Sequence, residues 1–114
     1  AWEYNDGRSE ELMGKALKDG YRDKVFLMTK IVDRTRDGAQ KQLDDCLRRL
    51  DVDVIDLMQI HSIQSPEDAK IVYTDGALDV AIKARDAGKV RYIGFTGHVN
   101  PKGHAEVFNG DFDW

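Results

Sequence analysis

The side chains best suited to proton transfer are Tyr4, Lys30 and His61, and they lie far apart along the chain, so any shared chemistry depends on the fold. Reduction of a carbonyl by hydride wants such a trio. Negative charge grows on the carbonyl oxygen, and a proton donor must meet it. A phenol has an ordinary pKa of about 10, and an ammonium about 4 Å away favours the phenolate by about 4 kcal/mol at an effective dielectric of about 20. Burial acts the other way, so the net gain in acidity is smaller. An imidazole beside the pair would orient the carbonyl oxygen.

Each residue also has a plain structural reading. Lys30 fits a solvated lysine at a strand end, or the Schiff-base lysine of a barrel lyase. A histidine after an apolar strand is more often a satisfied structural group than a catalyst. A loop tyrosine usually packs its ring and bonds its hydroxyl to backbone, and Trp2 beside it suits a core as well as a substrate wall. A metal site is not expected. His61, His98 and His104 lack the helical spacing of H-E-x-x-H, and Cys46 belongs to a core-facing stripe with Leu43, Leu47 and Leu50.

The elements that must position these groups alternate between helix and strand. Ser9 is placed to cap a helix from Glu10 to Asp19, with Leu12, Met13, Ala16 and Leu17 on one stripe and Gly20 after it. Val25 to Lys30 is a nearly continuous apolar run, the pattern of a strand covered on both faces. A helix follows from Asp37 to Leu50, then a strand from Val52 to Ile60 with His61 directly after it. Ser65-Pro66-Glu67-Asp68 reads as a polar loop. A helix from Gly76 to Ala87 ends at Gly88, and Val90 to Phe95 is a third strand. After Asn100-Pro101 a short helix reaches toward Phe108, Gly110 stops it, and Phe112-Asp113-Trp114 opens a further strand.

Such alternation implies parallel strands joined by right-handed crossovers, with helices covering the sheet. Ligand sites in parallel α/β folds lie at the carboxyl ends of the strands, where the following loops converge. Lys30 closes the first strand, His61 leaves the second, Thr96 and His98 leave the third, and Tyr4 enters the first helix. All should open onto one face. The absence of G-x-G-x-x-G after a strand weighs against a doubly wound dinucleotide-binding sheet.

The totals set outer limits. With 114 residues the chain is long enough for one core but well short of the roughly 250 of a complete (β/α)8 barrel. Net charge is −4 and the sequence pI 5.3, with no concentration of lysine and arginine, so nucleic acid is not an expected partner. No apolar run has transmembrane length, and no membrane association is expected. The single cysteine, Cys46, has no internal disulfide partner, which fits a reducing, cytoplasmic compartment. The chain begins at Ala1-Trp2-Glu3-Tyr4 without a methionine and reads as truncated.

Several stretches resemble a known family. Tyr4-Asn5-Asp6-Gly7-Arg8-Ser9-Glu10 resembles the aldo-keto reductase segment that holds the catalytic tyrosine, followed by glycine and the Ser-Glu that opens the next helix. Phe26-Leu27-Met28-Thr29-Lys30 is similar to the strand that ends in the catalytic lysine. Leu47 to Leu57, followed by Gln59-Ile60-His61, resembles the family's most recognisable stretch, and Gly88 to Phe95 its fifth barrel strand with its lead-in. The resemblance implies an α/β fold made of the parallel βα units of a TIM-type (β/α)8 barrel. Residues 1–114 would form a partial barrel domain, truncated at both ends and covering approximately the second through fifth units.

The resemblance also implies an activity: reduction of an aldehyde or ketone with hydride from NADPH, with NADH as the other possible donor. In it Tyr4 is the proton donor, Lys30 its acidifying partner, and His61 the residue that orients a small-molecule carbonyl substrate. The chain departs from the family pattern in three places. The aspartate that precedes the tyrosine by five residues would fall before Ala1. The family's Ser-Asn after the fifth strand is here Thr96-Gly97-His98, so Thr96 is the candidate to hold the nicotinamide amide and Gly97 offers no side chain. The loops after the seventh and eighth strands, which hold most of NADP in the family, are missing. The fragment alone is therefore expected to be a poor reductase, and exposed sheet edges favour self-association. The alternatives are a non-catalytic barrel fragment that acts by self-assembly, and a lyase using Lys30.

Overall fold

The computed structural model describes residues 1–109 and 112–113. Its sheet has three parallel strands in the order β1 (Met28–Ile31), β2 (Ile55–Ile60) and β3 (Val90–Phe95). The registers pair Lys30 with Gln59 and Gln59 with Gly94, so the carboxyl ends of all three strands finish at one rim. Helices α1 (Arg8–Ala16), α2 (Arg36–Leu50), α3 (Pro66–Thr74), α4 (Ala77–Asp86) and α5 (Pro101–Val107) complete the chain, with short 3-10 turns at Tyr4–Gly7 and Arg22–Lys24.

The helix covering β1 and β2 is defined at both ends by its sequence. The Thr35 side chain accepts from Gly38 N–H at the start of α2, and Asp51 adopts a left-handed conformation (φ +55°) at its end. Its apolar stripe, Ala39, Leu43, Cys46 and Leu50, is buried against the sheet. Ile31, Met58, Ile60 and Ile93 form the facing layer and are at most 1% exposed. Each such side chain stabilises the fold by about 1.5–3 kcal/mol through burial.

The opposite face of the sheet is open. Met28 and Tyr92 alternate with the buried residues of their strands and are 42% and 41% exposed, and Phe26, 60% exposed, stacks on Tyr92 with ring centroids 6.2 Å apart. The expectation that Val25–Lys30 is covered on both faces is thus met on one face only. The strand also begins later than expected, at Met28, although the chain is already extended at Val25 after the turn at Arg22–Lys24.

Two further local readings change. Ser9 does not cap α1; Gly7 occupies that position at φ +86°, and the Ser9 hydroxyl instead accepts from Asn5 Nδ2 at 2.8 Å. The positive φ favours glycine there, and an added Cβ would have to displace the Arg49 guanidinium. Ser65–Asp68 is the first turn of α3 rather than a loop. Ser65 accepts from Asp68 N–H, Pro66 takes the first helical position, and Ala69 and Val72 behind them are buried.

Beyond α5, Asp113 grips the free edge of β3, its N–H donating to Ile93 O at 2.8 Å and its carboxylate accepting from Ile93 N–H at 2.8 Å. No strand is assigned to Phe112 and Asp113, and the expected stop at Gly110 and strand end at Trp114 lie outside the described residues. At the amino end of the sheet, buried Asp56 accepts from Arg91 at 2.6 Å, Arg22 at 2.8 Å and Leu27 N–H at 2.7 Å. That carboxylate is compensated from three directions, as a buried charge must be.

Candidate active site

The segment before α1 runs beside β1, where Trp2 N–H donates to Lys30 O at 2.8 Å. Arg49 anchors that segment from α2 by donating to Trp2 O at 2.9 Å, with its guanidinium over the Trp2 ring at 5.2 Å. Trp2 Nε1 donates in turn to Asp45 at 3.2 Å. Trp2 is therefore a half-buried anchor packed against the core, and it delivers Tyr4 to the carboxyl rim of the sheet.

Tyr4 and His61 meet there. Tyr4 Oη lies 3.3 Å from His61 Nε2, the rings meeting edge to face at 83°. The other ring nitrogen, Nδ1, lies 2.8 Å from Thr96 Oγ1, so residues from three separate stretches share one hydrogen-bonded line. Lys30 does not close β1, which runs on to Ile31; it stands half-buried in register with Gln59, and its charge disfavours a second positive charge on the His61 ring. The exposed His98 ring lies 6.3 Å from His61.

Burial pushes the His61 imidazole below the ordinary histidine pKa; Glu3 pulls it up, whereas Lys30 and His98 push it further down. The ring is therefore neutral at pH 7. The 3.7 Å approach of Glu3 Oε1 to Nε2 is accordingly a charge beside a neutral ring rather than an ion pair.

Residues not expected from the sequence brace this rim. Arg34, in the loop after β1, donates to His61 O at 3.0 Å, Ser62 O at 3.2 Å and Val32 O at 2.9 Å. Its guanidinium is fixed by both oxygens of Asp68, at 2.8 and 3.0 Å. Glu10, buried between α1 and β1, accepts from Thr29 Oγ1 at 2.5 Å, with Arg49 Nη1 at 3.5 Å. Burial, and next the Glu10 charge, push the Cys46 thiol well up, which makes it inert. A cleft of about 390 Å³ lies at the amino end of the strands around Arg22, Val54 and Arg91, away from this rim. Among the described residues no group of three or more His, Cys, Asp or Glu side chains could hold a metal ion.

The pattern of the aldo/keto reductase family matches residues 1–104. The chain belongs to the aldo-keto reductase family. It is 35% identical over 102 residues to the aldo-keto reductase YhdN of Bacillus subtilis, covering 80% of this chain and 29% of that protein. It is 34% identical over 106 residues to an aldo-keto reductase of Schizosaccharomyces pombe named for NADP(+), covering 82% of this chain and 30% of the relative. Among solved structures, the holo form of an aldo-keto reductase from Bacillus halodurans superposes with a TM-score of 0.71 at 30% identity, over 83% of this chain and 34% of that one. The chain thus spans about a third of the length of these relatives, and its three strands are parallel βα units of the (β/α)8 barrel.

Thr96 and Gly97 follow β3 at this rim. A Cβ on Gly97 would collide with the His104 ring from α5 and lie 2.7 Å from Ile63 O, so no side chain fits at that position. His104 Nε2, buried and without a hydrogen-bond partner among the described residues, fills the space that a side chain at residue 97 would take. Thr96 Oγ1 makes two contacts, to Ser62 N at 2.9 Å and to His61 Nδ1, which leaves a hydroxyl one remaining hydrogen-bonding position. That position suits one polar atom of a cofactor amide.

Proposed function

We propose that the protein reduces an aldehyde or ketone to the alcohol with a nicotinamide cofactor, NADPH in preference to NADH. In this reading Tyr4 gives the proton, Lys30 favours its release, and His61 orients the substrate. One observation carries the reading: Tyr4 Oη stands 3.3 Å from His61 Nε2 at the carboxyl rim, with Lys30 one residue before the end of the neighbouring strand. Two donors at that spacing both reach a single carbonyl oxygen, and charge growing on it is met from two sides.

When bound, the cofactor supplies the hydride that joins the carbonyl carbon. The chain's own part is the proton, which passes from Tyr4 Oη to the carbonyl oxygen. Thr96 is the residue available to hold the nicotinamide amide. The relative named for NADP(+) supports the choice of cofactor. Placement in the cytoplasm rests on the free, buried Cys46, and no helix among the described residues is long and apolar enough to cross a membrane.

The exposed Phe26, Met28 and Tyr92 favour a companion reading, in which this part of the barrel works only once that apolar face is covered by further strands or by a second copy. Borohydride trapping separates reductase from lyase. With a reactive aldehyde present, a reductase containing these 114 residues consumes NADPH and leaves Lys30 unmodified. A reduced substrate adduct on Lys30 without NADPH consumption would replace the reading with the lyase.

A further inference from the structure

We infer that Thr96 is a positioning residue for His61: its hydroxyl donates to Nδ1 and so holds the ring as the tautomer whose proton is on Nε2, facing Tyr4. The use of this tautomer rests on the reductase reading, whereas the geometry stands without it. Thr96 Oγ1 lies 2.9 Å from Ser62 N and 2.8 Å from His61 Nδ1. The Ser62 N–H can only donate, so it occupies one lone pair of the hydroxyl. Thr96's own proton then needs an acceptor, and Nδ1 is the one in place. The reverse arrangement, with Nδ1–H donating to Oγ1, fills both lone pairs of the hydroxyl with donors and turns its proton away from the ring, toward no acceptor among the described residues. A hydroxyl that accepts from an amide is also polarised into a better donor.

The turn that aims Ser62 N–H is itself held in place. Ser62 has φ +59°, a left-handed conformation disfavoured for a residue with a side chain. Arg34 secures it by donating to the carbonyls of His61 and Ser62, and Asp68 fixes Arg34 through both carboxylate oxygens. The line from Arg34 through Ser62 and Thr96 therefore ends on the ring that faces Tyr4. A carbonyl oxygen at the rim would accept from the Nε2–H and from the Tyr4 hydroxyl together. Among the described residues, the charged or titratable side chains that face the ring are Tyr4 and Glu3 from the leading segment, Lys30 from β1, and His98 after β3.

The test is nitrogen NMR of the histidine rings in the full chain, with His61→Gln identifying the signal by its loss. The native protein at pH 7 should show His61 protonated at Nε2, with Nδ1 as a hydrogen-bonded acceptor. Thr96→Val should populate both tautomers and raise the ring's pKa by about 0.7 unit, the shift expected when a typical hydrogen bond to the neutral form is lost. Thr96→Ser should restore the native spectrum. A native ring protonated at Nδ1, or a folded Thr96→Val protein with the native tautomer and pKa, would overturn the inference. If Thr96→Val does not fold, the native and Thr96→Ser spectra decide it alone. The reductase reading fails separately, by Tyr4→Phe leaving NADPH consumption unchanged while the Nε2–H tautomer is still observed.

Discussion

The two faces of the sheet do different work. Ile31, Met58, Ile60 and Ile93 are sealed beneath helices, whereas Met28 and Tyr92 on the same strands face outward, and Lys30 shares their side. The difference follows from strand geometry, since neighbouring side chains point to opposite faces and a single strand serves both. Burial on the helix side fixes where the rim lies. The open side carries the lysine proposed for chemistry, and a group that must meet a substrate cannot belong to the sealed layer.

This contrast breaks first on the sealed side. Ile60→Ala should lower the free energy of unfolding by about 2–5 kcal/mol, because it removes buried contacts and leaves a cavity where helices and sheet meet. Urea denaturation checks it. A loss near zero would mean that the helix layer is not the main source of stability.

A smaller effect is expected at the rim. Gly97→Ala should cost about 1–3 kcal/mol by overpacking, since the added carbon meets both His104 and the Ile63 carbonyl. Combining it with His104→Ala relieves only the side-chain collision, so thermal denaturation of the double variant should recover part of the loss.

The ion pair bracing His61 gives a pH-dependent test. Hydrogen bonds from Arg34, chiefly, hold the Asp68 carboxyl below its ordinary value. A carboxyl depressed in the folded state contributes stability that is complete above the unfolded value of about 3.9 and is lost as pH falls through the folded value. Acid denaturation of Asp68→Asn should therefore be shallower below about pH 4 than that of the native chain. Identical profiles would show that the pair contributes nothing. The smallest effect belongs to the open face, where Met28→Ser should change stability by no more than about 0.5 kcal/mol.

Much of this fold was legible in the sequence because strands and helices with strong apolar periodicity announce themselves locally. β3 matches its expected span, and of the α2 stripe read as Ala39, Leu43, Cys46, Leu47 and Leu50 all but the half-buried Leu47 are buried. The start of α3 was missed although its signals are present. Ser65, Pro66, Glu67 and Asp68 are a cap, a first-turn proline and two first-turn acids, and their polarity reads equally well as a loop. At the rim, the meeting of Tyr4, His61 and Thr96 follows from the rule that loops converge at strand ends. The bracing by Arg34, Arg49 and Asp68 had no sequence signal. The partners that matter to the rim lie between 27 and 47 residues away, and nothing local distinguishes these side chains from solvated charges.

The central claim, that Tyr4 supplies the proton to a reduced carbonyl, is tested most directly by substituting that one oxygen. In a reductase containing these residues, Tyr4→Phe should cut kcat for NADPH-dependent reduction of a reactive aldehyde by about 100- to 10,000-fold, with cofactor affinity little changed. A variant that retains native kcat would contradict the account, because no proton would then be coming from the phenol beside His61.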